Sequence, residues 1–310
     1  MKPPPFRYAR CSSAGEAVAL LSEAGDDAKV LAGGQSLMPL LNFRLARPAL
    51  LVDVNPLTDL AYVRENDDGE LCIGALCRQI ALETMPLDKR WQAIADALPW
   101  IGHYPTRVRG TVGGSIAHAD PSAELPLLCL GFGARLELTG PAGARSVAAD
   151  TFFLGPFTTA VGDDELLTEI SLSPPPDQAA TAFCEFSERH GDFALLSAFV
   201  GLAIEDGRCS WCRVAVGGAT PAPVRIPEAE RALLSSGASD EDLRAAAETA
   251  AGSCTADDDV HCSAATRREL ASEVTMRALV SARSRATENR TTKMNPDVVR
   301  GTTKDPHSSA

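Results

Sequence analysis

Two short segments have the residue types and spacing to hold a phosphate. The first is Ala32-Gly33-Gly34-Gln35-Ser36 and the second is Thr111-Val112-Gly113-Gly114-Ser115. Adjacent glycines let a chain turn sharply and aim successive backbone N–H groups at one point. Such a concavity binds anionic oxygens, and the hydroxyls of Ser36, Thr111 and Ser115 add side-chain donors. A pyrophosphate has oxygens on two sides, so two converging loops suit it better than one. Taken singly, each loop also reads as an ordinary tight turn. Neither is a standard nucleotide fingerprint. No G-x-G-x-x-G follows the first strand, and no glycine-rich loop ends in Gly-Lys-Ser or Gly-Lys-Thr.

The elements around the loops can be read from periodicity and punctuation. A helix runs from Ser13 to about Ser22, with Ser13 and Glu16 as a capping box and Gly25 as its stop. A strand, Lys29 to Ala32, runs straight into the first loop. A short helix, about Pro39 to Arg44, leads to a second strand, Leu50 to Val54. Strand, loop, crossover and strand predict a parallel pairing. Leu60 to Arg64 and Glu70 to Gly74 flank the turn Asn66 to Gly69 and read as a hairpin. A helix from about Asp88 to Leu98 precedes the second loop. After it, Asp120 as N-cap and Pro121 at the first helical position predict another helix, then a strand, Ala134 to Thr139. Pro174-Pro175-Pro176 is a stiff linker and marks a domain boundary. Beyond it come a strand (Ala182 to Ser187), a helix (Leu195 to Ile204), a strand (Trp211 to Gly217) and two helices (Asp240 to Ala251 and Ala264 to about Ala282). From residue 285 the chain is polar and reads as a disordered tail to residue 310.

Composition narrows the class. The 310 residues fit two domains of ordinary size. A formal net charge of −12 argues against nucleic acid or an anionic membrane as partner. No apolar run reaches a membrane span and no signal peptide opens the chain, so a cytoplasmic location is expected. Nine cysteines are scattered, and Cys209 and Cys212 form the one C-x-x-C pair. An iron–sulfur cluster needs about four thiolates at suitable spacing, so this chain is not expected to hold one. No Ser-His-Asp or Cys-His set stands out. His118 reads as a loop histidine or as a donor to a phosphate or a partner subunit, Arg44 and Arg47 as surface arginines or as contacts for phosphate or partner carboxylates, Asp53 as a turn cap, and Asp257 to Asp259 as a solvated loop.

The segments AGGQSLMPLLNFRLARPALLVDVN (Ala32 to Asn55) and RVRGTVGGSIAHADPSAELP (Arg107 to Pro126) resemble the two FAD-binding loops of the flavoprotein, or medium, subunits of molybdenum hydroxylases. Carbon monoxide dehydrogenase medium subunits and xanthine dehydrogenase FAD domains belong to that family. Gly155 to Thr159, Asp164 to Ile170 and Arg189 to Ala194 match further family stretches, and the likeness covers about residues 1 to 282. It implies an α+β chain in three parts. Residues 1–175 would be a vanillyl-alcohol-oxidase-type (PCMH) FAD-binding domain of two α/β subdomains. Residues 178–284 would be a small C-terminal α+β domain, with 285–310 as the tail.

The resemblance also implies the site. FAD would lie against Val30, Leu31, Ala32, Gly33, Gly34, Gln35, Ser36 and Leu37, and against Thr111, Val112, Gly113, Gly114 and Ser115. Asp120 is a further cofactor-binding position, Glu124 falls on the ribose or adenine side, Ile101 and Leu167 make apolar contacts, and Asp192 and Phe193 lie near the isoalloxazine. Many members carry Asn at the position of Ser115, some carry Tyr at that of Phe193, and Tyr is frequent at that of Thr266. The implied role is electron transfer. Electrons from a molybdenum cofactor in a large partner subunit would pass through 2Fe-2S clusters of a small subunit to FAD here, then to an external acceptor. A heterotrimer or a dimer of heterotrimers follows. The alternative is a stand-alone FAD-dependent reductase or oxidase on the same fold.

Overall fold

The computed structural model describes residues 2–255 and 257–294. The chain opens with β1 (Arg7–Arg10), α1 (Ala14–Ala24), β2 (Ala28–Leu31), α2 (Leu37–Phe43) and β3 (Leu50–Asp53). These strands form one sheet in the order β1-β3-β2, with both outer strands parallel to β3. The expected parallel pairing is therefore present. Ser13 caps α1, accepting from the Glu16 N–H at 3.1 Å. The reciprocal half of the box shifts by one residue, since the Glu16 carboxylate accepts from the Ser12 N–H instead.

A second unit follows: β4 (Val63–Glu65), β5 (Leu71–Gly74), α3 (Gln79–Thr84), α4 (Gln92–Ala97), α5 (Tyr104–Arg109), α6 (Val112–His118), α7 (Glu124–Phe132), β6 (Arg135–Gly140), β7 (Gly143–Ala148), α8 (Ala149–Phe152), β8 (Phe153–Gly155), β9 (Thr158–Thr159) and β10 (Leu166–Leu172). Its five-stranded sheet has the order β4-β5-β10-β6-β7 and is antiparallel throughout. Ile73, Leu136 and Ile170 of the sheet share one apolar core with Ile94, Ile116 and Leu128 of the helices.

The expected helix start at Asp120 and Pro121 is not where the chain begins to coil. Helix α6 ends at His118, Ala119 turns left-handed at φ +50°, and α7 starts only at Glu124. Asp120 instead closes a local turn, its carboxylate accepting from the Ser122 N–H at 2.9 Å. The Asp-Pro signal is that of a turn as much as of a cap.

The third unit holds β11 (Ala179–Phe186), β12 (Leu196–Glu205), β13 (Arg208–Gly217), β14 (Val224–Arg225), α9 (Pro227–Leu233), α10 (Asp240–Gly252) and α11 (Ala264–Met294). Its sheet is an antiparallel meander, β11-β12-β13-β14. Here one expectation fails: Leu195 to Ile204 is strand, not helix. Both faces of β12 are covered. Phe199 points into the core shared with α7, while Ala198 and Val200 point into the core under α10 and α11. A strand buried on both sides shows no alternation, so its sequence cannot be told from a buried helix. Cys209 and Cys212 sit in β13 as expected of strand residues, both buried.

The tail is corrected in part. Helix α11 runs on to Met294, past residue 284, and residues 295–310 lie outside those described. Arg285 makes a bidentate ion pair with Asp96 of α4, at 2.6 and 3.1 Å, and donates to the Thr181 carbonyl of β11 at 2.8 Å.

Candidate functional site

The first loop leaves the C-terminal end of β2, at the edge where β1 and β3 also end. In parallel sheets that edge is the usual ligand crevice, because the chain turns there and its backbone groups lose their ladder partners. No protein acceptor serves the backbone N–H groups of Gly33, Gly34, Gln35, Ser36 and Leu37 among the described residues. Five successive unsatisfied donors in an open loop form a nest for an anion. Gly34 adopts φ +73°, which a residue with a side chain disfavours, and it bends the nest. The Gln35 amide folds back to the Gly33 carbonyl at 3.0 Å and steadies it.

The second loop is the first turn of a helix rather than an irregular loop. Thr111 caps α6, its hydroxyl accepting from the Gly114 N–H at 3.2 Å. The Val112 and Gly113 N–H groups are already used, donating to the carbonyls of Cys77 and Ala75 at 2.9 Å each. Thus the two loops are not equivalent. The first supplies free donors, while the second is a wall fixed to the end of β5. Gly113 is required because a Cβ there would lie 2.5 Å from the Ala75 Cβ. Ser115 remains half-buried, and Gly114 exposed, on the open side.

The loops converge. A Cβ on Gly33 would come within 2.5 Å of the Arg109 carbonyl oxygen and 2.8 Å of the Gly110 Cα. Two residues that the sequence reading did not assign to the site hold this junction. The Asn55 amide donates to the carbonyls of Ala32 at 2.8 Å and Leu31 at 3.2 Å. Arg78 donates to the Asn55 side-chain oxygen at 2.7 Å and to the Arg109 carbonyl. Asp53 supports the set as a turn cap, accepting from the Asn55 N–H at 3.0 Å and from the Tyr8 hydroxyl. Nothing in the spacing points from Asn55 or Arg78 to either loop.

The other candidates gather in two places. Ile101 and Leu167 are buried in the same apolar core as Val112. Arg107 forks onto Glu83 at 2.6 and 3.2 Å and donates to the Ile101 and Gly102 carbonyls, which fixes that turn. The segment carrying Asp192 and Phe193 reaches the same turn from the third unit. Trp100 lies over His190 at 4.8 Å, and Gly191 abuts the His103 ring. Phe193 is 72% exposed. Val30 and Leu31 are half-buried at the end of β2.

Glu124 is the most perturbed of the candidates. It is 6% exposed, in the first turn of α7, and faces Glu185 of β11, which is 8% exposed. Burial, with Glu124 adding its charge, pushes the Glu185 carboxyl up to about 9. Burial also raises Glu124 to about 7, with Asp120 raising it further and Arg107 opposing. Neither Glu185 oxygen has a partner among the described residues. Two carboxylates sharing a buried site cannot both ionise cheaply, so at neutral pH Glu185 carries a proton.

An elongated dianion with polar groups at each end fits this arrangement. The nest and its wall would take a diphosphate; no Cβ could be added at Gly33 without parting the loops, or at Gly113 without lifting the wall off Ala75.

Comparison with known proteins shows the family and the fold. The FAD binding domain in molybdopterin dehydrogenase matches residues 4–175, and the CO dehydrogenase flavoprotein C-terminal domain matches residues 181–282. The alpha subunit of the 6-hydroxypseudooxynicotine dehydrogenase complex of Paenarthrobacter nicotinovorans is 39% identical, over 92% of this chain and 97% of its own. Carbon monoxide dehydrogenase from Hydrogenophaga pseudoflava superimposes with a TM-score of 0.89 at 36% identity, covering 92% of this chain and 99% of that one. Quinoline 2-oxidoreductase from Pseudomonas putida 86 gives 0.88 at 33% identity, with the same coverage.

Proposed function

The chain belongs to the family of the FAD binding domain in molybdopterin dehydrogenases, and from that premise we propose that it is the FAD-holding, electron-transfer subunit of a molybdenum hydroxylase. The observation that carries the site is the row of five unused N–H groups from Gly33 to Leu37, walled by Thr111 to Ser115. When bound, FAD supplies the redox chemistry, and the polypeptide supplies binding, orientation and electrostatics.

The residues divide that work. Gly33, Gly34, Gln35, Ser36 and Leu37 donate backbone N–H groups to the diphosphate, and Ala32 carries the turn on from Val30 and Leu31. Thr111, Gly114 and Ser115 face it from the other side, while Val112 and Gly113 anchor the wall. Glu124 takes ribose hydroxyls, with Asp120 bracing the turn before it. Ile101 and Leu167 offer apolar surface, and Asp192 and Phe193 border the flavin ring. The units at 1–175 and 178–284 act as binding domain and cover.

The partners are a large molybdopterin-binding subunit and a small subunit with 2Fe-2S clusters, in a heterotrimer or a dimer of heterotrimers. No described helix is long and apolar enough to cross a membrane. A cytoplasmic location is part of the proposal. The test is to purify the chain, release and count its flavin, and co-express it with candidate partners. One FAD per chain and co-purification with a molybdenum-containing large chain are expected. A colourless chain that refuses added FAD would sink the reading.

A further inference from the structure

Arg78 stands at the junction of the two loops, yet its charge has no partner there. Its guanidinium donates to the Asn55 side-chain oxygen at 2.7 Å and to the Arg109 carbonyl, both uncharged acceptors. Among the described residues neither Arg78 nor Arg109 forms an ion pair. Burial lowers the Arg78 pKa, and the neighbouring Arg109 charge lowers it further, with Asp53 opposing. Two like charges that repel, the Arg78 one half-buried, are an unfavourable pair until an anion joins them. The five free N–H donors of the first loop lie on the other side of the same contact, where Gly33 meets Arg109. Through Asn55 the fork also holds the Leu31 and Ala32 carbonyls, so one side chain ties the nest to its wall.

We propose that Arg78, clamped by Asn55, is a positioning and charge-supplying residue of the cofactor site. It sets the gap between the two loops and makes the site select a diphosphate. The inference rests on the FAD reading above. Its two used N–H groups brace the loops. The remaining N–H groups and the charge favour entry of a dianion and disfavour a neutral flavin. Arg is required because a single planar group must reach two acceptors at once, which a Lys ammonium on a flexible stem does not fix.

The test titrates the flavin-free full-length chain with FAD and with ADP, following flavin fluorescence and calorimetric heat, in wild type, R78Q, R78K and N55A. Wild type binds both ligands. R78Q should weaken FAD and ADP together by about 30-fold or more, because a charge-assisted contact and the loop tie go at once. R78K should recover part of the loss at low salt and lose it again at high salt, since only charge is restored. N55A, which keeps the charge and removes the tie, should weaken both ligands by about 10-fold with little salt dependence. Failure of wild type to bind FAD would refute the FAD reading itself. Wild-type binding with R78Q or R78K unchanged in ADP affinity would refute the role of Arg78 alone. If R78Q does not fold, the salt response of R78K decides: equal weakening at all salt concentrations overturns the charge role.

Discussion

Gly33 and Arg109 meet backbone to backbone, with room for no side-chain atom between them: a Cβ on Gly33 would lie 2.5 Å from the Arg109 carbonyl oxygen. The contact joins two segments 76 residues apart (109 − 33) and brings the nest at the end of β2 against its wall. Gly33→Ala should therefore part the loops. We expect overpacking to cost about 1–3 kcal/mol in the flavin-free chain. FAD affinity should fall by about 10-fold or more. Thermal melts and FAD titration check both, with Gly155→Ala, which meets nothing within 4 Å, as the neutral control.

Gly114→Val tests the wall separately. The first added carbon would lie 2.6 Å from the Thr111 hydroxyl oxygen, the group that caps α6. Losing the cap costs about 1 kcal/mol, and the displaced branch would fill the open side. The purified variant should carry little flavin by absorbance at equal protein concentration. Full flavin content would show that the second loop does not line the cofactor.

The Glu124–Glu185 pair gives a pH dependence of known sign. Burial and Glu124 raise the Glu185 carboxyl to about 9, so the folded chain keeps a proton that the unfolded chain releases above the ordinary carboxyl range. Stability of the flavin-free chain then falls as pH rises from about 4.5 towards about 9, and levels off above. Glu124, raised to about 7 against the opposing charge of Arg107, acts in the same direction over the lower part of that window. Glu185→Gln removes the larger share. Its Tm should exceed that of wild type at pH 8.5, at about 2–4 °C per kcal/mol recovered, with the gap shrinking towards pH 5. A gap that is constant with pH would exclude a titrating Glu185.

Arg285 gives the C-terminal part of α11 a structural role. Its guanidinium grips Asp96 of α4 and the Thr181 carbonyl of β11, so α11 locks the second unit to the third. Asp96 also accepts from the Phe183 N–H at 3.2 Å, which would be left unsatisfied if the carboxylate moved. Truncation after Ser284 should lower Tm by several degrees, and Arg285→Ala should reproduce most of the loss, about 2 kcal/mol for charged hydrogen bonds lost from a half-buried pair. An unaltered Tm for the truncated chain would remove α11's last turns from the fold's support.

Local signals explain what could be read in advance. The strand–Gly-Gly loop–strand order around Leu31 and the hydroxyls of Thr111 and Ser115 are contiguous features, and they located both loops. What failed was non-local. β12 reads as an apolar run because its two faces meet two different cores, through Phe199 and Val200. Arg285 sits in a polar stretch whose partner lies 189 residues earlier. Arg78 and Asn55 act on the loops through carbonyl groups, which carry no side-chain identity and leave no motif. Whether the second loop's N–H groups were free depended on the Cys77 and Ala75 carbonyls reaching them, which no spacing within the loop encodes.

Gly191 controls how the third unit meets the site. It adopts φ +92°, and a Cβ there would lie 2.6 Å from the His103 ring and 3.0 Å from the Gly102 carbonyl oxygen. Trp100 lies over His190 beside it, so the turn at residues 100–103 seats the segment that presents Asp192 and the exposed ring of Phe193. Gly191→Ala combines left-handed strain with overpacking, so the segment must lift away from that turn. The diphosphate contacts lie elsewhere, at Gly33 to Leu37. FAD affinity should therefore change by no more than about threefold. The flavin's absorption envelope and its accessibility to iodide quenching should change clearly. A spectrum identical to wild type would place Asp192 and Phe193 away from the ring, while a large loss of affinity would mean that the segment helps to hold the diphosphate.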